Sequence, residues 1–159
     1  MILQQQYALV QCSREAVLSF VETSIGEDLN TPVPAYDNKT IRDLLEHNAH
    51  CYFDWLVYFA LQQPVGSLKD EGVITMPLIR RLYGRVDEVV TAFLGKFGNS
   101  LNVPINGVPE PRALPRNATP LQLFTNVVTH EFHHKGQIVL MCRLLGYIPP
   151  ETDACLAFL

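Results

Sequence analysis

The stretch TPLQLFTNVVTHEFHHKGQIVLMCRLLG, residues 119–146, contains the clearest helix signal of the chain and three of its five histidines. Thr119 and Gln122 match an N-terminal capping box, and Pro120 stands in the first helical position, where its missing N–H costs little. Apolar residues then recur at alternating steps of four and three, which is typical of a helix that packs in a bundle. We predict a long helix that begins at Pro120 and ends by Gly146.

The interior stripe of this helix contains two histidines where a bundle core usually holds Leu or Val. His130 and His134 are four residues apart, so they lie one turn apart on the same face and can bind one metal ion. A buried histidine without partners costs about 1–3 kcal/mol, so two neighbouring ones favour a metal site over accidental burial. His133 lies about 100° away, and we expect it off the seam. The predicted stripe is Leu123, Val127, His130, His134, Gln137, Met141 and Leu144.

Three earlier segments have the same helical spacing. The first runs from about Leu3 to Ile25, with Gly26 as its cap and Tyr7, Val10, Val17 and Val21 as its stripe. The second begins at Thr40, with Asp43 completing a loose capping box, and stops near Pro64 and Gly66. The third starts around Thr75, with Ile79, Leu82, Val86, Val89 and Phe93 as its stripe.

The connection from Gly98 to Arg116 contains four prolines and no helical period. We predict an irregular connection there, and a short two-stranded element within it stays open as an alternative. The expected fold is therefore all-α, a four-helix bundle with long crossover-type connections, and it forms a single domain over residues 1–159.

Charge and composition exclude several kinds of partner. The net charge is −4 and the twelve basic residues are scattered, which argues against a nucleic-acid surface. No segment approaches the about 20 apolar residues of a membrane span, and the N-terminus lacks the basic leader of a signal peptide. The four cysteines are far apart, so we expect reduced thiols in a cytoplasmic protein, with Cys51 and Cys142 buried.

A divalent metal ion needs at least a third ligand, and the second helix offers His47 and His50. His47 lies three residues after Leu44 and continues the inward steps of that helix. His50 lies beside the more polar Asp43 and Asp54. Periodicity favours His47 and leaves His50 open.

Residues 130–134 also spell H-E-x-x-H, the motif of zinc peptidases, in which Glu131 would be the general base. That class needs a further ligand, usually downstream, and the only acids after His134 are Glu151 and Asp153, beyond two prolines. No strand pattern offers an edge for an extended peptide. The surroundings of the motif therefore argue against a peptidase.

Two stretches resemble the DinB/YfiT-like metalloproteins. HEFHHKGQIVLMCRLLGY, residues 130–147, is similar to their C-terminal signature, and TIRDLLEHNAHCYFDW, residues 40–55, to their second helix. The resemblance implies a metal triad of His47, His130 and His134. Lys135 stands where that signature more often has Arg. The resemblance also implies a homodimer that binds zinc, nickel or another divalent ion. Some relatives use the metal ion to activate a small thiol such as bacillithiol or mycothiol.

An open three-histidine site favours catalysis or substrate binding, because closed structural zinc sites typically have four protein ligands. We expect a metal-dependent thiol S-transferase that acts on a small electrophilic molecule. Glu131 is a candidate base or orienting group, with a solvated surface residue as the alternative. Gln137 either faces a ligand or packs. The alternative functions are a hydrolase that uses metal-bound hydroxide and a non-catalytic metal-binding stress-response domain.

Overall fold

Four α-helices and one small hairpin make up most of residues 2–64, 75–108 and 116–153, which a computed structural model describes. The elements are α1 (Ile2–Phe20), α2 (Ile41–Tyr52), α3 (Met76–Phe97), β1 (Ile105–Gly107), β2 (Arg116–Ala118) and α4 (Pro120–Leu144). The predicted all-α fold with four helices is confirmed. Among the described residues, no helix is both long and apolar enough to cross a membrane.

The chain contains two compact units. One comprises Met1–His47 and Glu131–Leu159, and the other comprises Asn48–His130. The unit boundaries fall inside α2 and α4, between consecutive residues of each helix. The expectation of a single domain over residues 1–159 stays a prediction.

In the first unit, α1 buries the stripe that its apolar spacing predicts. Tyr7, Val10, Val17 and Val21 are all buried. The helix continues as a π-helical turn, Val21–Ile25, and ends at Gly26, whose φ of +57° is a left-handed value that glycine adopts without steric cost. The predicted cap at Gly26 is confirmed.

The start of α2 is set by a reciprocal pair of hydrogen bonds. The Thr40 N–H donates to Asp43 Oδ2 over 2.8 Å, and the Asp43 N–H donates to Thr40 Oγ1 over 3.1 Å. These bonds satisfy two N–H groups that have no partner within a helix. The predicted capping box is confirmed, and it fixes the register of the turn that carries His47.

In the second unit, the helix that begins as α2 continues as a π-helix, Phe53–Leu61, and ends at Gln62, which has a left-handed φ of 55°. The α3 stripe differs from its prediction: Ile79, Val86 and Phe93 are buried, but Leu82 and Val89 are only half-buried. Tyr83 and Val90 are buried instead. The Tyr83 hydroxyl accepts a 3.0 Å hydrogen bond from Asn48 Nδ2, so a polar contact allows this aromatic ring into the core.

The connection before α4 contains the two-stranded element that the sequence left open. Strands β1 and β2 pair antiparallel, with Ile105 opposite Ala118. Gly107 lies so close to the π-helix that a Cβ atom there would be 2.6 Å from the Phe59 carbonyl oxygen. The prediction of an irregular connection was wrong here, because three-residue strands are too short to show an alternating pattern. Residues 109–115 of the connection lie outside the described residues.

Helix α4 begins as predicted. The Thr119 N–H donates to Gln122 Oε1 over 2.9 Å, and the Gln122 N–H donates to Thr119 Oγ1 over 3.2 Å. Gly146 follows the helix with a φ of +92°. Leu144 was predicted to lie in the interior but is 52% exposed, because it is the last residue of the helix. The apolar tail residues Leu156, Phe158 and Leu159 lie outside the described residues.

Candidate metal centre

Three histidines form the cluster that the periodicity and the resemblance predict. One ring nitrogen each from His47, His130 and His134 lies within 4.8 Å of the other two. His130 and His134 are one turn apart on α4, and the His47 ring from α2 meets the His134 ring edge-on, with centroids 4.8 Å apart. Exposure rises from the buried His134 through His130 to the exposed His47, so the cluster is open to solvent on the His47 side.

Gln137 holds the ring of His134 by a short hydrogen bond. His134 Nδ1 and Gln137 Oε1 are 2.6 Å apart, three residues along the same helix. An amide oxygen only accepts, so Nδ1 carries the proton and Nε2 keeps a lone pair. Such a contact fixes both the tautomer and the ring orientation of a metal-binding histidine. The predicted contact of Gln137 with a ligand stays a prediction, and its bond to His134 is a role that the sequence did not indicate.

The protonation of His134 also suits a metal ligand. Burial lowers its pKa, and the neighbouring His47, His133 and Lys39 lower it further, while the hydrogen bond to Gln137 opposes them. A histidine must be neutral to offer a ring nitrogen to a metal ion. The environment therefore favours the form that binds.

Glu131 is buried in an ion pair rather than exposed. Its two carboxylate oxygens accept from Arg14 Nε over 2.7 Å and from the second guanidinium nitrogen over 2.9 Å. Arg14 also donates to the Tyr7 hydroxyl over 3.0 Å. The alternative of a solvated surface residue was wrong, because a two-pronged arginine contact from α1 compensates the burial of the carboxylate. A peptidase base would need this carboxylate free to accept a proton from water.

Lys135 connects α1 with the segment that follows α4. Its ammonium donates to Ser13 Oγ over 3.0 Å and to the Thr152 carbonyl oxygen over 2.6 Å. Ser13 donates to the same carbonyl over 2.5 Å. Lys135, which stands where the DinB/YfiT-like signature more often has Arg, therefore holds residues of the C-terminal segment in place.

The two remaining histidines lie outside the cluster. His133 lies off the interior stripe of α4, as predicted, and is exposed, although its ring centroid is 5.0 Å from that of His134. His50 is half-buried and packs near Phe53, with ring centroids 6.4 Å apart. Of the two candidates on the second helix, the structure brings His47 to the α4 histidines.

A cavity of about 440 Å³ opens beside the cluster. His47, His134 and Gln137 line it, so a small molecule in it would contact two of the three histidines. Its other walls come from the turn before α2 and from the first turns of α2. They are lined by Ala35, Tyr36, Asp37, Lys39, Asp43 and Leu44.

Two of the three cysteines with described positions are not suited to act as nucleophiles. Cys51 and Cys142 are buried, as predicted, and burial raises the pKa of their thiols to about 12 and about 11. The thiolate is the reactive form, so both are inert near neutral pH. Cys12 is free and half-buried, and Cys155 lies outside the described residues.

Sequence patterns did not identify Arg14 or the residues of the turn before α2 as part of the site. Arg14 has no local signal, because its partner Glu131 is 117 residues away. The turn before α2 does have a local signal, the dipeptide Asp37-Asn38. After glycine, Asp and Asn are the residue types that best tolerate a left-handed backbone.

The donor set fits a divalent first-row metal ion, since neutral imidazoles bind zinc, nickel and their neighbours. Fold and site together define a helical protein with an open cluster of three histidines that could hold a metal ion. The sequence profile of the DinB family matches residues 3–158, and the chain belongs to this family. A comparison with curated proteins found no match.

Proposed function

We propose that the protein is a metal-dependent enzyme of the thiol S-transferase type, which joins a low-molecular-weight thiol to a small electrophilic molecule. The observation that carries this proposal is the open three-histidine cluster beside a cavity of about 440 Å³. A structural zinc site would typically be closed by four protein ligands. Three ligands leave a position for a small molecule.

His47, His130 and His134 would hold a zinc or nickel ion. When bound, the ion would act as a Lewis acid that lowers the pKa of a coordinated thiol. Gln137 would keep His134 Nε2 directed at the ion through its bond to Nδ1. The cavity beside His47 and His134 would hold the thiol and the electrophile close together.

The sulfur nucleophile would be a free low-molecular-weight thiol rather than Cys51 or Cys142, because burial raises the pKa of both of these thiols and keeps them protonated near neutral pH. The thiol sulfur attacks the electrophilic carbon, a C–S bond forms, and the bond to the leaving group breaks. The leaving group takes that electron pair, and the thiol proton passes to solvent.

Glu131 would support this step through the helix rather than as a base. Its bidentate contact with Arg14 anchors the turn of α4 that carries His130 and His134. A catalytic-base role, which the sequence also suggests, would require the carboxylate to leave the guanidinium.

The experiment compares metal content and thiol binding in the parent protein, His47→Ala, His134→Ala and the control His133→Ala. We expect a stoichiometric divalent metal in the parent and the control, and loss of the metal in the two other variants. Undiminished metal in both would contradict the site. Circular dichroism of each variant establishes that it is folded.

Thiol binding is then measured on the cobalt-substituted parent. Glutathione, bacillithiol or mycothiol should change its absorption spectrum, and transfer to an electrophile such as a haloalkane should depend on both metal and thiol. Turnover of esters or amides without thiol would favour the hydrolase instead. A protein that binds metal but shows neither reaction would be a non-catalytic metal-binding domain.

We further propose that the protein is a homodimer, which the resemblance of residues 130–147 and 40–55 to the DinB/YfiT-like proteins supports. We also propose that it is cytoplasmic, because its four cysteines are far apart in the sequence. Light scattering coupled to size-exclusion chromatography gives the molar mass. A value of twice the 17.9 kDa chain is expected, and a monomer at micromolar concentration would contradict the proposal.

A further inference from the structure

A tight turn before α2 forms one wall of the cavity at the candidate metal centre. The Lys39 N–H donates to the Tyr36 carbonyl over 3.0 Å, and the Val33 N–H donates to the Lys39 carbonyl over 3.0 Å. Between them, Asp37 and Asn38 have φ angles of 54° and 59°. Two consecutive left-handed residues are characteristic of a type I′ turn. The turn therefore has a defined backbone that positions Asp37 and Lys39 in the cavity wall.

Three charged side chains line this cavity, and one of them is already paired. Asp43 accepts from the Thr40 N–H and forms an ion pair with Arg42 over 3.0 Å. Asp37 and Lys39 are exposed, and across residues 2–64, 75–108 and 116–153 neither side chain forms an ion pair or a hydrogen bond. The cavity thus presents one positive and one negative group to whatever binds in it.

Both charged residues line the same cavity as His47 and His134. A molecule that contacts the two histidines there is therefore within reach of Lys39 and Asp37. Asp37 lies two residues from Lys39 in the same wall. Tyr36, which is half-buried, also lines the cavity.

We propose that the cavity selects a thiol that carries both an ammonium and a carboxylate group, with Lys39 pairing with the carboxylate and Asp37 with the ammonium. Complementary charges contribute mainly to specificity, because they disfavour partners that lack the matching group. This inference rests on the proposed function, which places the thiol sulfur at the histidines. Bacillithiol and glutathione carry both groups, whereas mycothiol carries neither.

Four small thiols distinguish the contact of Lys39 with a carboxylate from the contact of Asp37 with an ammonium group. Cysteine carries both charges, 3-mercaptopropionate only the carboxylate, cysteamine only the ammonium, and 2-mercaptoethanol neither. Their dissociation constants are measured by titrating the cobalt-substituted protein at low salt and following its absorption spectrum. Each comparison is made with one thiol on two protein variants, so that differences in thiol acidity cancel.

The variants remove one charge at a time. Lys39→Gln should weaken binding of cysteine and 3-mercaptopropionate about threefold, the scale of an exposed ion pair, and leave the other two thiols unchanged. Asp37→Asn keeps a residue that tolerates the left-handed backbone and should weaken cysteine and cysteamine by a similar factor. Lys39→Arg should retain binding. Lys96→Gln, on α3, is the control that loses an exposed positive charge elsewhere.

The outcomes distinguish this inference from the proposed function. If none of the thiols, glutathione and bacillithiol included, changes the spectrum of the parent, the proposed function fails. If the thiols bind but the variants change all four constants equally, or none, the charge pairing is overturned and the proposed function stands. Raising the salt to about 1 M, where the Debye length is about 3 Å, should abolish the selective effects.

Discussion

Helix α4 has two polar faces that differ in how their groups are satisfied. On one face, Glu131 and Lys135 meet partners from α1 and from the segment after the helix, and the Glu131–Arg14 ion pair is buried. On the other, His134 is fixed by Gln137 and borders a cavity that is open to solvent. Polar groups that find partners within the protein stabilise it. Groups held in a fixed orientation beside a cavity can bind a ligand.

We call the face of α4 that carries Glu131 and Lys135 the closed face, and the face that carries His134 and Gln137 the open face. The largest effect should come from breaking the ion pair between Arg14 and Glu131 on the closed face. Arg14→Met leaves the Glu131 carboxylate buried without its cation, and we expect the free energy of unfolding to fall by about 3–5 kcal/mol. Urea denaturation measures this loss. The double variant Arg14→Met/Glu131→Leu removes both charges and should recover most of it. A loss below about 1 kcal/mol in the single variant would show that the pair is not a stabilising contact.

A substitution on the open face should change the affinity for metal rather than the free energy of unfolding. Gln137→Leu removes the acceptor for His134 Nδ1 but retains all three histidines, and we expect metal affinity to fall by about 10- to 100-fold. Competition with a chromogenic chelator gives the affinity, and Gln122→Leu near the start of α4 is a control that leaves the cluster intact. An unchanged affinity in Gln137→Leu would mean that the hydrogen bond does not orient the ligand.

A smaller loss of stability is expected at the second contact of the closed face. Lys135→Met removes two hydrogen bonds from a half-buried ammonium, and the free energy of unfolding should fall by about 1 kcal/mol. Lys135→Arg retains the charge and should lose less. Loss of metal in Lys135→Met while the protein stays folded would contradict the assignment of Lys135 to the structural face.

The smallest effect should come from an exposed hydrogen bond, in which the Tyr147 hydroxyl donates to Asp28 Oδ2 over 2.6 Å. The hydrogen bond from Tyr147 is the largest cause that lowers the pKa of Asp28 below its ordinary value of 3.8. A carboxyl group whose pKa is lower in the folded protein than in the unfolded chain stabilises the fold at any pH above its unfolded-state pKa. This contribution is lost as the pH falls through the folded-state pKa. Tyr147→Phe should therefore lower the melting temperature slightly at pH 7, and the difference should vanish in strong acid. A difference that persists there would refute the linkage.

Local patterns predicted the parts of this protein that depend on neighbours in sequence. The capping boxes Thr40–Asp43 and Thr119–Gln122 join residues three apart, so their spacing specifies the hydrogen bonds. The pairing of His130 with His134 likewise follows from the pitch of one helix. The choice of His47 over His50 was favoured by periodicity and by the resemblance, and both are properties of the sequence.

Contacts between distant residues could not be predicted in this way. The burial of Glu131 depends on Arg14, and a lone glutamate beside a histidine gives no sign of such a partner. The α3 stripe was misplaced at Leu82, because apolar spacing does not show that Asn48 donates a hydrogen bond to the hydroxyl of the neighbouring Tyr83.

By itself, the sequence determined the helices, their caps and the three histidines, because backbone hydrogen bonds and helical pitch act over a few residues. Only the tertiary structure decided which polar side chains stabilise the protein and which face a ligand. Glu131 and His134 are three residues apart on one helix, and their roles differ because α1 presents a guanidinium to the first, while the turn at Asp37 and Lys39 leaves a cavity beside the second. Burial and pairing are set by what packs against a residue, and neither can be known until the chain has folded.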